Sequence, residues 1–360
     1  MSRIKVFQDG DWTKDACAYY RTYLPATELI KQGADIVTTD KTESVLWADD
    51  FGIDEKGESV RDPRVQGWAD PDCDVAVFQR PLHRDVVDLI VWCKANGVKT
   101  VLDMDDDYFK VDPANKAAQY MRPETSPRRN TEHLKRAIAA ADLITVTTAA
   151  LAKRYAPHKA RIIPNFIPRV WTSQPLRPLP TDVTVGWTGT TQTHPGDLES
   201  TKGGVARAVL TTGAHFRAVG DGEGVQEALG LSSLTPYSVS GWVPLPHYPD
   251  KMNELDIGIV PLRSSAFNHG KSWLKGLEFS ALGIPFVASA TQPYVQLNRE
   301  SKLGRIARTP QDWAREVQEL VENEAMRENE GERAREIVRE RHLLEDNAGL
   351  WLDAWLSVLA

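Results

Sequence analysis

Short runs of apolar and β-branched residues, spaced by helix-length segments, constrain this chain more than any other feature. In the first half they are Ile4–Phe7, Asp35–Val37, Val75–Phe78, Thr100–Leu102, Leu143–Val146 and Arg161–Ile163. Runs this continuously apolar suit strands buried on both faces, as in a parallel sheet covered by helices. The intervening segment 83–96 is predicted to be a helix, with Val86, Val87, Ile90 and Val91 on one stripe and Gly97 as its stop. From Pro164 to Pro180 five prolines exclude helix and inner strand, which predicts a stiff linker. The alternation then restarts at Val183–Trp187, Phe216–Val219, Ile257–Val260 and Pro285–Ala288. The reading is α/β, with one domain over 1–170 and a second over 181–344, and with ligands expected at the carboxyl ends of the strands.

The 360 residues leave room for two such cores at about 150 residues each. A net charge of -7 argues against a surface that coats polyphosphate, so non-specific nucleic-acid binding is excluded and any basic site must be local. Cys17, Cys73 and Cys93 form no CxxC pair, which removes a disulfide scaffold and a zinc ribbon and suits a reducing cytosol. The first ten residues turn polar after one short apolar stretch, unlike a signal peptide. No run approaches the roughly 18 apolar residues of a membrane span. A cytoplasmic location without an integral membrane segment is therefore expected. Near the end, Thr309-Pro310-Gln311-Asp312 reads as a helix start. Trp351, Trp355 and Val358 make an apolar stripe that must dock on something.

The segment Pro261–Tyr294 is the most informative chemically. A strand should end at Pro261-Leu262, a polar loop follow, a helix run from about Lys271 to Leu282, and Gly283 stop it. On such a helix Lys271, Lys275 and Glu278 share one narrow sector, while Leu274, Leu277 and Ala281 face the sheet. Two ammonium groups beside the free N–H groups of a helix start suit a diphosphate, and a carboxylate further on suits a ribose diol. A solvated i,i+4 charge pattern is the competing reading.

The wording of that segment, Glu278-Phe279-Ser280-Ala281-Leu282-Gly283-Ile284-Pro285-Phe286-Val287, resembles the donor-nucleotide region of GT-B glycosyltransferases, in particular the retaining family 4 group. Asp142–Thr148 with Leu151, Ile163–Ile167, Gly186–Thr190 and Val219–Gly222 resemble further parts of that family in the expected order. The resemblance implies two Rossmann-like domains with parallel sheets facing across a cleft, an N-terminal acceptor domain and a C-terminal donor domain. It also implies that segment 345–360 returns to dock on the first domain. The implied reaction moves a sugar from a nucleoside diphosphate sugar to an acceptor hydroxyl with retention, with no cofactor and no metal bridging the diphosphate. The acceptor (glycan, lipid, protein or small molecule) is not specified. Lys271 and Lys275 would stabilise the diphosphate, Glu278 would hold the ribose, and Gly189, Thr190, Gly220 and Ser272 would line the donor site. The sequence departs from the family at Gly270, where a glutamate that contacts the donor sugar is usual, and Asn268 or His269 is expected to substitute. The family's arginine after the first donor-domain strand is also missing from Thr188–Thr191. A nucleotide-sugar epimerase and a non-catalytic binding module remain the rival readings.

The other candidates are less constrained. Asp103-Met104-Asp105-Asp106-Asp107 follows a strand, so Asp105, Asp106 and Asp107 could orient acceptor hydroxyls, bind Mg²⁺ or Mn²⁺, cap a helix or be solvated. The first loop, Gln8-Asp9-Gly10 to Tyr20-Arg21, offers Arg21 to phosphate or acceptor, with a surface role as the alternative. His133 falls on a predicted helix on the acceptor side, and His194 falls in a loop at the cleft rim, where it is the better catalytic candidate.

Overall fold

The computed structural model describes residues 2–8, 11–40, 45–48, 51–53, 57–61, 64–68, 71–121, 129–175 and 182–360. The chain divides into two compact units. Unit 1 holds Met1–Phe109, Gln119–Pro164 and Ala348–Ala360, and unit 2 holds Lys110–Ala118 and Asn165–Asn347.

The strands of unit 1 are β1 (Ile4–Gln8), β2 (Ile36–Asp40), β3 (Val45–Ala48), β4 (Phe51–Ile53), β5 (Ser59–Arg61), β6 (Arg64–Trp68), β7 (Val75–Gln79), β8 (Lys99–Met104), β9 (Leu143–Val146) and β10 (Ala160–Ile162). Six of them form one sheet in the order β10-β9-β8-β7-β1-β2, and every pairing in it is parallel. All residues of β7 are buried, which accounts for its apolar run Val75–Phe78. The helix Arg84–Ala95 buries Val86, Val87, Leu89, Ile90 and Cys93 against this sheet. It ends where Gly97 takes a φ of 80°. The pairs β3–β6 and β4–β5 are small antiparallel ribbons whose short, interrupted apolar runs gave no signal in the sequence.

Arg21 corrects an expectation. It is buried, not poised for an acceptor: Nε and Nη2 each donate to the Asp103 carboxylate at 2.9 Å, and Nη1 donates to the Ile163 carbonyl at 2.7 Å. The guanidinium carbon lies 4.9 Å over the ring of Trp351, from the terminal helix Gly349–Leu356 of the same unit. A buried ion pair needs such complete hydrogen bonding because its charges have left water. Asp9 and Gly10 of the first loop lie outside the described residues.

Unit 2 contains β11 (Thr184–Thr190), β12 (His215–Asp221), β13 (Tyr237–Ser240), β14 (Ile257–Val260), β15 (Phe286–Ser289) and β16 (Arg305–Ala307). They form a parallel sheet in the order β13-β12-β11-β14-β15-β16. The direction of winding reverses between β11 and β14, the position at whose carboxyl ends sheets of this kind bind ligands. The helix Pro310–Glu322 starts with a capping box between Thr309 and Asp312, as the sequence predicts.

The proline-rich stretch is only partly a linker. Phe166, Ile167 and Trp171 are buried, a helix forms over Arg169–Thr172, and Ile167 pairs with Leu343. Apolar residues between the prolines bind this stretch into unit 2, because they cover more surface than a solvated linker could leave exposed. Pro178 and Pro180 lie outside the described residues.

Candidate functional site

The loops that leave β11 and β14 meet at the reversal point of unit 2. His194 Nδ1 lies 2.9 Å from Asp197 Oδ2, and Asp197 is only 2% exposed. Asp197 Oδ1 accepts the Arg263 backbone N–H at 3.0 Å and the Asn268 amide at 2.8 Å. A second N–H of Asn268 goes to the Arg263 carbonyl at 3.1 Å. Asn268 was expected to replace the missing glutamate at Gly270 as a sugar contact. Its donors instead hold Asp197 and the loop after β14, a consequence of its burial. Burial pushes the His194 pKa below its ordinary value. The hydrogen bond to Asp197 works against that shift, and the charges of Lys271 and Lys275 reinforce it.

The expected helix from Lys271 is broken into two. One short helix covers Ala266–Gly270, Lys271 is its extended cap residue, and the next helix covers Leu274–Ala281. Lys271 therefore does not share a helix face with Lys275 and Glu278. Its Nζ lies 4.6 Å over the Phe267 ring, and the bend still brings its charge close enough to act on His194. Ser272 in the same bend accepts a hydrogen bond from the Asn165 amide at 2.9 Å. Trp273, the cap of the second helix, supplies no side-chain bond to that helix start.

Lys275 Nζ lies 2.7 Å from Glu278 Oε2 and donates to the Tyr248 hydroxyl at 2.7 Å. Burial disfavours the ammonium, but the charge of Glu278 and the bonds to Glu278 and Tyr248 outweigh this and raise its pKa. Glu278 itself is 2% exposed. The pair is thus internally compensated, which changes the expectation that Lys275 offers a free charge to a diphosphate.

The strand ends beside these groups are stripped of side chains. Gly189 and Gly220 are register partners at the ends of β11 and β12, with φ of 151° and 110°. A Cβ on Gly220 would meet the Gly189 carbonyl oxygen at 2.5 Å, so only glycine fits. Thr190 Oγ1 donates to Asp221 at 3.3 Å and caps the turn Thr191–Thr193.

The candidates in unit 1 separate. Asp105 accepts from the Tyr108 hydroxyl at 2.9 Å, and Asp107 accepts from Arg154 at 2.8 Å. The Asp106 carbonyl accepts from the Tyr155 hydroxyl at 2.5 Å. Arg80, at the end of β7, pairs with Asp15 and has a positive φ of 42°. Among the described residues no group of three His, Cys, Asp or Glu side chains is gathered around a metal position. His133 lies apart from these strand ends, on the helix Asn130–Ala140. Its pKa is lowered by burial and by the charges of Arg136 and Arg84.

Asp197, Tyr248 and Arg263 join the site although no motif in the sequence marks them. The spacing of His194 to Asp197 was the one available signal, since three residues in a tight turn can close a His–carboxylate bond. Tyr248 is distant in sequence and carries no local pattern.

Residues 205–353 match the model of a family described as glycosyl transferase-like. A comparison with curated protein sequences finds no match. Among solved structures, TarM of S. aureus in complex with UDP aligns with a TM-score of 0.54 at 14% identity, covering 78% of this chain and 55% of that one. The chain thus spans about half the length of TarM. Sucrose-phosphate synthase from Thermosynechococcus elongatus aligns at 0.62 and 14% identity over 100% of this chain and 99% of that one. HepE of Anabaena, solved with UDP and glucose, aligns at 0.61 and 12% identity over 99% and 100%. The fold is that of GT-B glycosyltransferases, two α/β units each built on a six-stranded parallel sheet. The family model and the fold together support a glycosyltransferase. Among the described residues no helix is long and apolar enough to cross a membrane.

Proposed function

We propose that this chain is a retaining glycosyltransferase of the family 4 type. It would move a hexosyl group from a nucleoside diphosphate sugar to an acceptor hydroxyl, with unit 2 as the donor side and unit 1 as the acceptor side. The observation that carries the reading is the gathering of His194, Asp197, Lys271, Lys275 and Glu278 at the reversal point of one parallel sheet. UDP in the TarM and HepE structures supports a nucleotide donor.

The anomeric C–O bond to the diphosphate breaks, the acceptor oxygen bonds to the anomeric carbon on the same face, and the acceptor proton passes to the departing phosphate oxygen. No protein nucleophile is required. The enzyme's task is to stabilise charge building on the diphosphate. Lys271 supplies a cation, the bare strand positions Gly189 and Gly220 let phosphate approach the backbone, and Thr190 and Ser272 offer hydroxyls. Glu278, paired with Lys275 whose ammonium also donates to Tyr248, receives the ribose diol. With Nδ1–H donated to Asp197, His194 presents Nε2 as an acceptor to a donor-sugar hydroxyl.

The test is release of nucleoside diphosphate from a panel of UDP, GDP, ADP and TDP sugars with glycan and small-molecule acceptors, with the product's anomeric configuration read by NMR. Turnover with retention is expected. Binding without turnover across the panel, or an inverted product, overturns the proposal.

A further inference from the structure

The loop that carries His194 has little regular structure of its own, only 3-10 turns at Thr191–Thr193 and Glu199–Thr201. Besides Asn268 and the Glu223 carbonyl, which accepts from Thr191, it is supported by residues 110–118, which precede it by some distance in sequence yet belong to unit 2. The Lys116 backbone N–H donates to the Gln192 carbonyl at 3.1 Å, and Lys116 Nζ donates to the Gln192 side chain at 3.0 Å. The Asn115 amide, 6% exposed, donates to the Thr193 carbonyl at 2.9 Å, immediately before His194. The Asn115 side-chain oxygen accepts the Ala117 N–H at 2.8 Å, so the segment fixes its own amide in place. Asp112 forms an ion pair with Arg263, whose backbone N–H is bound by Asp197. The segment therefore grips both halves of the His194–Asp197 pair: the histidine through Thr193, and the carboxylate through Arg263.

We propose that residues 110–118 are a strap that positions the His194–Asp197 pair, with Asn115 and Asp112 as positioning residues for the transfer reaction. The proposal rests on the glycosyltransferase reading for its catalytic consequence, but the strap's hold on His194 is independent of it. Neither residue is assigned a contact with substrate. Asn115 fixes where the imidazole stands, and Asp112 fixes the loop that orients its carboxylate partner. Displacement of a positioned group by about 1 Å can cost on the order of 100-fold in rate, so a loosened strap should lower kcat more than it raises KM.

The test reads the His194 ring directly by NMR titration of the protein alone, without substrate. The charged groups acting on this ring are Asp197 from its own loop and Lys271 and Lys275 from the bend and helix beside it. In Asn115→Ala and Asp112→Asn, the His194 titration should move toward that of an ordinary histidine. Asp112→Glu, which keeps the charge, should restore the wild-type curve. For the nucleotide sugar that wild type turns over, kcat should fall about 10- to 100-fold with a smaller change in KM. A folded Asp112→Asn protein with unchanged His194 titration overturns the strap whether or not Asn115→Ala folds. A shifted titration in a protein that transfers no sugar would uphold the strap while the glycosyltransferase reading falls.

Discussion

Lys275 and Glu278 stand three residues apart on one helix, with Nζ 2.7 Å from Oε2, and the Tyr248 hydroxyl completes the site as the second acceptor of the ammonium. Removing either charge leaves the other stranded in a nearly dry place. Lys275→Met and Glu278→Leu should each destabilise unit 2 by about 1 to 3 kcal/mol, less than a fully buried pair because Lys275 is 29% exposed. The double variant should be more stable than either single one, while none of the three transfers sugar. Urea unfolding and donor turnover check both halves.

The same logic applies with full force to Arg21 and Asp103, each 1% exposed. Asp103→Asn should cost about 3 to 5 kcal/mol, visible as a lower unfolding midpoint of unit 1. The fraction that stays folded should keep wild-type turnover per molecule, because this pair is structural. A variant of normal stability and lost turnover would return Arg21 to the reaction.

Gly220 has no tolerance for a side chain. Gly220→Ala must relieve both the 2.5 Å approach to the Gly189 oxygen and a φ of 110°. It should lose about 1 to 3 kcal/mol and weaken nucleoside diphosphate binding at least tenfold, measured by calorimetry. Unchanged affinity would mean that phosphate does not approach this strand end.

Lys271 carries the cation assigned to the diphosphate. Lys271→Ala should lower kcat/KM for the donor by about 100-fold, with unfolding unchanged. Near-wild-type kinetics would require another cation to take the role.

His342 gives unit 2 an acid limit. Burial, and then the charge of Arg341, push its pKa down to about 4. Above pH 6.5 the ring is neutral in both states and contributes no pH dependence. Between about 6.5 and 4 the unfolded chain binds a proton that the folded one refuses, so stability falls as pH falls, and it levels off below about 4. Chemical unfolding at pH 7 and pH 5 should differ less in His342→Gln than in wild type.

Sheet content was legible because buried parallel strands impose apolar runs, and Val75–Phe78 of β7 and the whole of β14 show them without interruption. The break at Lys271–Trp273 was not legible. The charge spacing of Lys271, Lys275 and Glu278 fits one helix, and only the competing bonds around Asn268 and Asn165 bend the chain there. The fate of Arg21 was hidden for a different reason. Its partners, Asp103, Ile163 and Trp351, come from three distant stretches, and no local pattern marks such a meeting. The strap was hidden in the same way, since Asn115 and Asp112 sit in a polar stretch that resembles any surface loop.

The contact of Arg21 with the Trp351 ring ties residues 348–360 to unit 1, across the whole of unit 2 in sequence. Residues 348–360, which unit 1 needs to cover its buried guanidinium, emerge after every residue of unit 2 has been made. Unit 2 can therefore close first, although most of unit 1 is translated before it. The surface of unit 1 that Trp351 and Trp355 cover is thus completed only by residues made after unit 2, the situation in which exposed apolar surface favours aggregation.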